Sequence, residues 1–396
     1  MKKLSLFCLF LCAGPFLLRA EISNRIVEFG VDGELGFANN FMDFKEFFSN
    51  ETLVIDFNTL PLRGLHSTAV GETELFFNFN FRRFSLGFFS GMDGFFTGGL
   101  SEEVVKLFSE GNVNMRNFSG ELILGGSIFF DAGVRAAVEF RGWKIGVTPS
   151  LYIPLFYMPK PLIQLGFDTT ESLSVDMSIR MNVYTPFSLE DPGIRGIFNA
   201  SGVDLSLSAE YALLPILDVG GLMSHIPIVP SRMMHGMHVV SDFVFPRGSG
   251  EDISGSFIDA LVKDEIPSTG GKVFYLNEDA LRVFRPLRFD VFARYKPFRN
   301  GLITLTPDIG FSLLTIYGYD VVCLNAGLAG RLNLGNFFMV DLSTGYRERL
   351  WQHKLGIALN FRVVELDLGA GLLSQDFVSS FHFNGLSVAV GLRFGF

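Results

Sequence analysis

Three histidines and four methionines crowd the stretch MSHIPIVPSRMMHGMH: His225, His235 and His238 stand beside Met223, Met233, Met234 and Met237. Imidazole and thioether together suit a copper ion. The same residues read as the start of a pliant apolar loop, because an unbranched thioether fills irregular gaps. Elsewhere the chemistry thins out. The chain has six histidines in all, and it carries no zinc-protease pair, phosphate loop, nucleophile elbow or Cys-x-x-Cys. Separate strands could still bring Ser, His and an acid together at a rim without a linear motif. No catalytic residue, metal ligand or cofactor is assigned, and a non-enzymatic role is expected.

The elements that hold these residues are legible in a two-residue repeat. In ESLSVDMSIRMNVY, Leu173, Val175, Met177, Ile179, Met181 and Val183 alternate with Ser, Asp, Arg and Asn. LITLTPDIGFSLL, WQHKLGIALNF and the final GLSVAVGLRFGF repeat the pattern. Strict alternation marks strands with one oily and one small or polar face. Several runs reach eleven residues or more, longer than ordinary sandwich strands and matched to a tilted membrane strand.

Composition agrees. Mean hydropathy is +0.34, yet beyond the first twenty residues no run approaches the roughly 18 apolar residues of a membrane helix. Phenylalanine (45) and glycine (43) abound, and both favour strands over helix interiors. Residues 1–20, with Lys2 and Lys3 ahead of an apolar core and Leu18-Arg19-Ala20 behind it, are expected to be a cleaved export signal. Their loss removes Cys8, Cys12 and three basic residues, leaving Cys323 alone and shifting the net charge from −9 to −12. That excludes an internal disulfide and argues against nucleic acid as a partner.

The expected fold is all-β: a transmembrane antiparallel barrel of about fourteen strands with a short N-terminal helical plug. Alternating segments fall near 26–37, 72–81, 84–96, 120–140, 143–154, 171–184, 201–213, 215–224, 286–296, 301–315, 320–334, 336–348, 350–361, 364–373 and 385–396. That is one too many for an even-stranded barrel. The segment 26–37 is taken as the one outside the wall, with 120–140 as a second source of error, since it could hide two elements. Residues 21–71 then form the plug and 72–396 the barrel. Short turns at 81–83, 140–142, 298–300, 334–336 and 361–363 are expected to be periplasmic, and the long insertion 225–285 external. Residues 101–112, SEEVVKLFSEGN, read as a short amphipathic helix capping a loop.

With ELGFANN, FMDFKEFF and PSLYIPLFY on the page, and GLRFGF at the close, the chain resembles the FadL-type long-chain fatty-acid transporters, and more closely the FadL-like outer-membrane proteins of spirochaetes. The resemblance implies a monomeric fourteen-stranded barrel plugged by an N-terminal hatch. A hydrophobic substrate would bind under the outer loops and leave sideways through the wall. The Asn-Pro-Ala of that hatch is missing here; Ala38-Asn39-Asn40 is the nearest text.

Ligand contact is accordingly expected from Phe41, Phe44, Phe47 and Phe48, which recur at helical spacing, and from Phe76, Phe89 and Phe96 along an inward apolar path. The Phe41–Phe48 stripe reads equally as packing between plug and wall. Leu392, Phe394 and Phe396 match the terminal pattern by which such barrels meet the assembly machinery. The expected partners are outer-membrane lipid, that machinery and a hydrophobic small molecule such as a fatty acid. The alternative is a general porin or a surface adhesin whose function lies in 225–285.

Overall fold

The computed structural model describes residues 25–41, 64–110, 117–159, 162–168, 174–186, 198–246, 272–276, 281–298, 300–316, 319–335, 337–381 and 383–396. The strands are, in chain order, β1 (Val27–Asn39), β2 (Leu65–Phe81), β3 (Phe84–Leu100), β4 (Asn117–Phe140), β5 (Trp143–Met158), β6 (Leu162–Asp168) and β7 (Ser174–Thr185). There follow β8 (Gly202–Leu214), β9 (Leu217–Val229), β10 (Ser231–Met233), β11 (His235–Pro246), β12 (Lys272–Leu276) and β13 (Leu281–Val283). The last seven are β14 (Leu287–Tyr295), β15 (Ile303–Ile316), β16 (Tyr319–Leu334), β17 (Phe338–Arg347), β18 (Leu350–Asn360), β19 (Val364–Ser374) and β20 (Gly385–Gly395). A helix, α1 (Glu102–Glu110), follows β3.

Fourteen of these strands close a ring. β1 to β5 pair in sequence, β8 lies against β5 and β9 against β8, and β14 joins β9. From there β14 to β20 pair in sequence, and β20 returns to β1. All pairings are antiparallel, and closure leaves the wall without a free edge, which a bilayer requires. At the seam eleven register pairs run from Glu28↔Gly395 to Ala38↔Gly385, and the Phe29 and Phe394 rings stack at 5.1 Å.

The strand count holds, but the segment left out of the wall differs from expectation. Val27–Asn39 is a wall strand bonded on both sides. The supernumerary segment is 171–184: β7 belongs to a second sheet storey above the loop-side end, β4–β6–β7–β11–β12. β4 serves both storeys. Its first part, Asn117–Leu122, pairs with β6, and from Gly126 onward it pairs with β5. Residues 120–140 are thus one strand, with β3 along one edge and β6 then β5 along the other. The expected plug boundary at 71 also falls inside β2, which begins at Leu65.

Alternation sorts the wall into two environments. Short of the loop-side tip of β16, no Asp, Glu, Lys or Arg occupies an outward position of the fourteen wall strands. That face carries exposed Val322, Leu324, Leu342, Leu355, Leu368 and Val390, the apolar band that lipid demands. At the short-turn end aromatic rings meet across strands and turns: Phe81–Phe84 at 6.4 Å, Trp143–Tyr211 at 4.6 Å and Phe337–Phe361 at 5.4 Å. They form a girdle of the kind found at membrane interfaces. The charges of the wall point inward. β1 contributes Glu28, Asp32 and Glu34, β2 Glu72 and Glu74, and β19 Glu365 and Asp367.

Candidate functional site

The loop-side mouth is built by the insertion between β9 and β14. A register shift in the β8–β9 ladder near Leu205–Leu207 coincides with His225 at φ 59°, a bulge that re-aims the strand. His225 donates its own N–H to Ser206 Oγ at 3.1 Å and its Nδ1 hydrogen to the Pro286 carbonyl at 3.0 Å. Beyond Pro230 the chain turns inward, and β10 pairs with β13. Tyr152, on the inward face of β5 and 1% exposed, fastens this strand pair. Its hydroxyl donates to the Val283 carbonyl at 3.0 Å and accepts from the Ser231 N–H at 3.2 Å. Phe129, Tyr152, Met233 and Val283 bury one another.

Next to that apolar group lies a cluster of buried charge. Arg285, between β13 and β14, reaches Asp131 at 2.7 Å, Asp93 at 3.2 Å and Asp204 at 3.6 Å, on β4, β3 and β8 respectively. Arg288 goes another way, to Glu348 in the β17–β18 turn at 2.8 Å. Residues 281–286 therefore reach across the mouth from the start of β14, tied through Arg285 to β3, β4 and β8. Ser150 donates to Asp204 beneath them.

Further toward the short turns the inward face carries an aromatic pair. Phe76 and Phe89 are register partners on β2 and β3, and both are buried. Each lies over a glycine, Phe76 over Gly30 and Phe89 over Gly133, where a Cβ would collide at 2.7 Å. Arg135 lies 4.1 Å from the Phe89 ring centre and forms an ion pair with Glu74, so the cation is held over an aromatic face.

The expected site residues separate into three groups. Phe76 and Phe89 face inward together. Phe96 lies on the opposite, outward phase of β3, with Phe84 and Phe88, and packs on Phe156 at 5.6 Å; the odd–even parity of one strand puts it outside. Phe41 packs on Leu65 and Val105 beneath α1, while Phe44, Phe47 and Phe48 lie outside the described residues. Asn40 clamps the base of their segment, accepting the His66 N–H at 2.7 Å and donating to the Gly64 carbonyl at 2.9 Å. Leu392 and Phe394 face outward at the seam. Phe396, 72% exposed, exchanges backbone hydrogen bonds with the β1 end through Val27 O at 3.0 Å and Ile26 N at 2.7 Å.

Within the Met/His stretch, Met233 is core and His225 supports the bulge. Among the described residues no three His, Cys, Asp or Glu groups converge as metal ligands. Sequence reasoning missed Arg285, Arg288 and Tyr152. A usable signal was present, because inward carboxylates in such excess need cations and the arginines of RVFRPLRF adjoin a wall strand.

No known protein-family profile matches the chain, and no curated protein sequence matches it. Solved structures do. The toluene transporter TbuX of Ralstonia pickettii aligns with TM-score 0.51 at 9% identity over 94% of this chain and 90% of that one. The toluene transporter TodX of P. putida aligns with TM-score 0.52 at 10% identity over 93% and 90%. The CymD monoaromatic hydrocarbon channel gives 0.50 at 9% over 97% and 94%. At such identities the likeness is one of fold. The chain shares the fold of these proteins, a closed fourteen-stranded antiparallel barrel.

Proposed function

We infer that the protein is a passive outer-membrane channel for hydrophobic small molecules, and that it transports rather than catalyses. The observation that carries this is the inward Phe76–Phe89 surface, set below an in-turned arm inside an otherwise charged barrel. An aromatic surface kept inside a hydrated wall has a use if an apolar guest leaves water to meet it. The solved relatives in fold are named for toluene and monoaromatic hydrocarbons, guests of that physical class. Long-chain fatty acids, the ligand expected from the family resemblance, share the apolar body and add a carboxylate. The charged interior beyond the aromatic pair disfavours axial passage of an apolar body, so a lateral exit into the bilayer suits such a guest better. A cleaved leader, a monomeric state and delivery by the barrel-assembly machinery complete the reading.

The test uses the purified barrel in nanodiscs with N-phenyl-1-naphthylamine, a neutral hydrophobic dye. Saturable binding above that of empty discs, lost in Phe76→Ala/Phe89→Ala, is expected. Binding no different from empty discs removes the proposal. A second reading has one observation in its favour: β11 and β12, from the 225–285 insertion, stand in the upper sheet storey, where a surface adhesin would present them. Free passage of hydrophilic sugars in liposome swelling would instead mark a general porin.

A further inference from the structure

We propose that the channel sorts its hydrophobic guests by head-group charge, admitting neutral and cationic heads and refusing carboxylates. The inference rests on the uptake reading and names the substrate class within it.

It starts from a pairing that should not be stable alone. Glu72 and Asp93 are direct cross-strand partners on the inward faces of β2 and β3, and like charges so placed repel. Asp93 is held by Arg285, but that guanidinium is already shared with Asp131 and Asp204. Several other inward cations around the ring are taken as well. Arg135 is taken by Glu74, Arg288 by Glu348, Arg347 by Asp308 and Lys354 by Glu34. Arg393 answers to Asp32, Glu365 and Asp367 together. A guest carboxylate would have to displace one of these partners.

The acids, in contrast, have capacity to spare. Asp290, 8% exposed on the inward face of β14, has an Oδ1 that receives no hydrogen bond, and so has Glu365, 0% exposed, at Oε2. Glu34 Oε2 and Asp367 Oδ1 are likewise without donors. Buried acceptors without donors call for a hydroxyl or an ammonium. Three buried donors are open as well, Nε of Arg285 and of Arg288 and Nη1 of Arg25. The first two suit a neutral hydroxyl or carbonyl oxygen, whereas a full negative charge there would sit among Asp93, Asp131, Asp204 and Glu348; Arg25 lies apart, beside Asn360 and Arg362 at the short-turn end. Low-dielectric walls focus the resulting negative field along the lumen, the arrangement by which carboxylate rings select cations in channels.

Three guests of one chain length separate the possibilities: octan-1-ol, octylammonium and octanoate at pH 7.5, each competing with N-phenyl-1-naphthylamine on the full-length barrel in nanodiscs. The alcohol and the ammonium are expected to displace the dye at concentrations at least about tenfold lower than octanoate does. Glu72→Gln, which leaves every named ion pair in place, should narrow the gap at least about threefold. Independently, any residual conductance in a planar bilayer under a KCl gradient should reverse on the cation side. Octanoate that competes as well as octan-1-ol, or a reversal potential on the anion side, overturns the proposal while leaving hydrophobic uptake standing. Dye that never binds the protein overturns the uptake reading itself.

Discussion

Arg285 and Asp131 meet at 2.7 Å although 154 residues separate them. One belongs to the arm that crosses the mouth, the other to the wall on β4. Through this contact, and those to Asp93 and Asp204, a segment that is not part of the barrel becomes fixed to three of its strands.

Arg285→Gln should therefore free the arm without opening the wall. Removing one partner of a buried ionic cluster costs about 3–5 kcal/mol because the other charges stay behind. Protease sensitivity is expected to rise within 230–286, while heat-modifiable gel migration continues to report a closed barrel. Unchanged protection of the arm would show that the apolar β10–β13 packing alone holds it.

Tyr152→Phe isolates the neutral half of the same fastening. It deletes a hydroxyl that donates to Val283 and accepts from Ser231, a loss of about 1–3 kcal/mol. Hydrogen exchange at the amides of 231 and 283 should quicken roughly tenfold, with the wall amides unaffected.

Phe76→Ala and Phe89→Ala should each weaken hydrophobic-dye binding about tenfold or more, following the roughly 1.5–3 kcal/mol attached to burying a large apolar side chain. Phe96→Ala should leave binding unchanged, because that ring faces the other way. Equal losses at all three positions would contradict the assigned phase of β3.

Leu324→Arg tests the membrane face directly. Leu324 is 71% exposed on β16, and an arginine placed toward mid-bilayer on a barrel costs about 2–4 kcal/mol. Lower folding yield into lipid vesicles is expected. A matched Ser343→Arg change, on the inward phase of β17, should cost less.

Much of this architecture was legible because period-two patterning is a local property: Leu386 to Phe394 announce a two-faced strand without reference to anything else. The storey a strand occupies is not local. Residues 171–184 alternate as cleanly as any wall strand, since alternation records two environments and not which two. Conversely, the unpatterned stretch after 26–37 makes that segment read as part of a separate plug, yet its pairing is decided by β20, at the far end of the chain. Phe76 and Phe89 could be phased from their own strands. Arg285 could not, because it sits where the backbone leaves the strand repeat and its partners lie on β3, β4 and β8.

The fork in β4 has an evolutionary corollary. Side chains on a strand swap sides with every residue added or removed, and Asn117–Phe140 has different neighbours above and below Gly125. A one-residue insertion near 123–125 would slip one storey against the other, presenting Asp131 and Arg135 to acyl chains or inverting the sheet above. Changes of length are better absorbed after Asp168 or after Pro246, so diversification of the upper storey is predicted to concentrate there while the neck of β4 keeps its spacing.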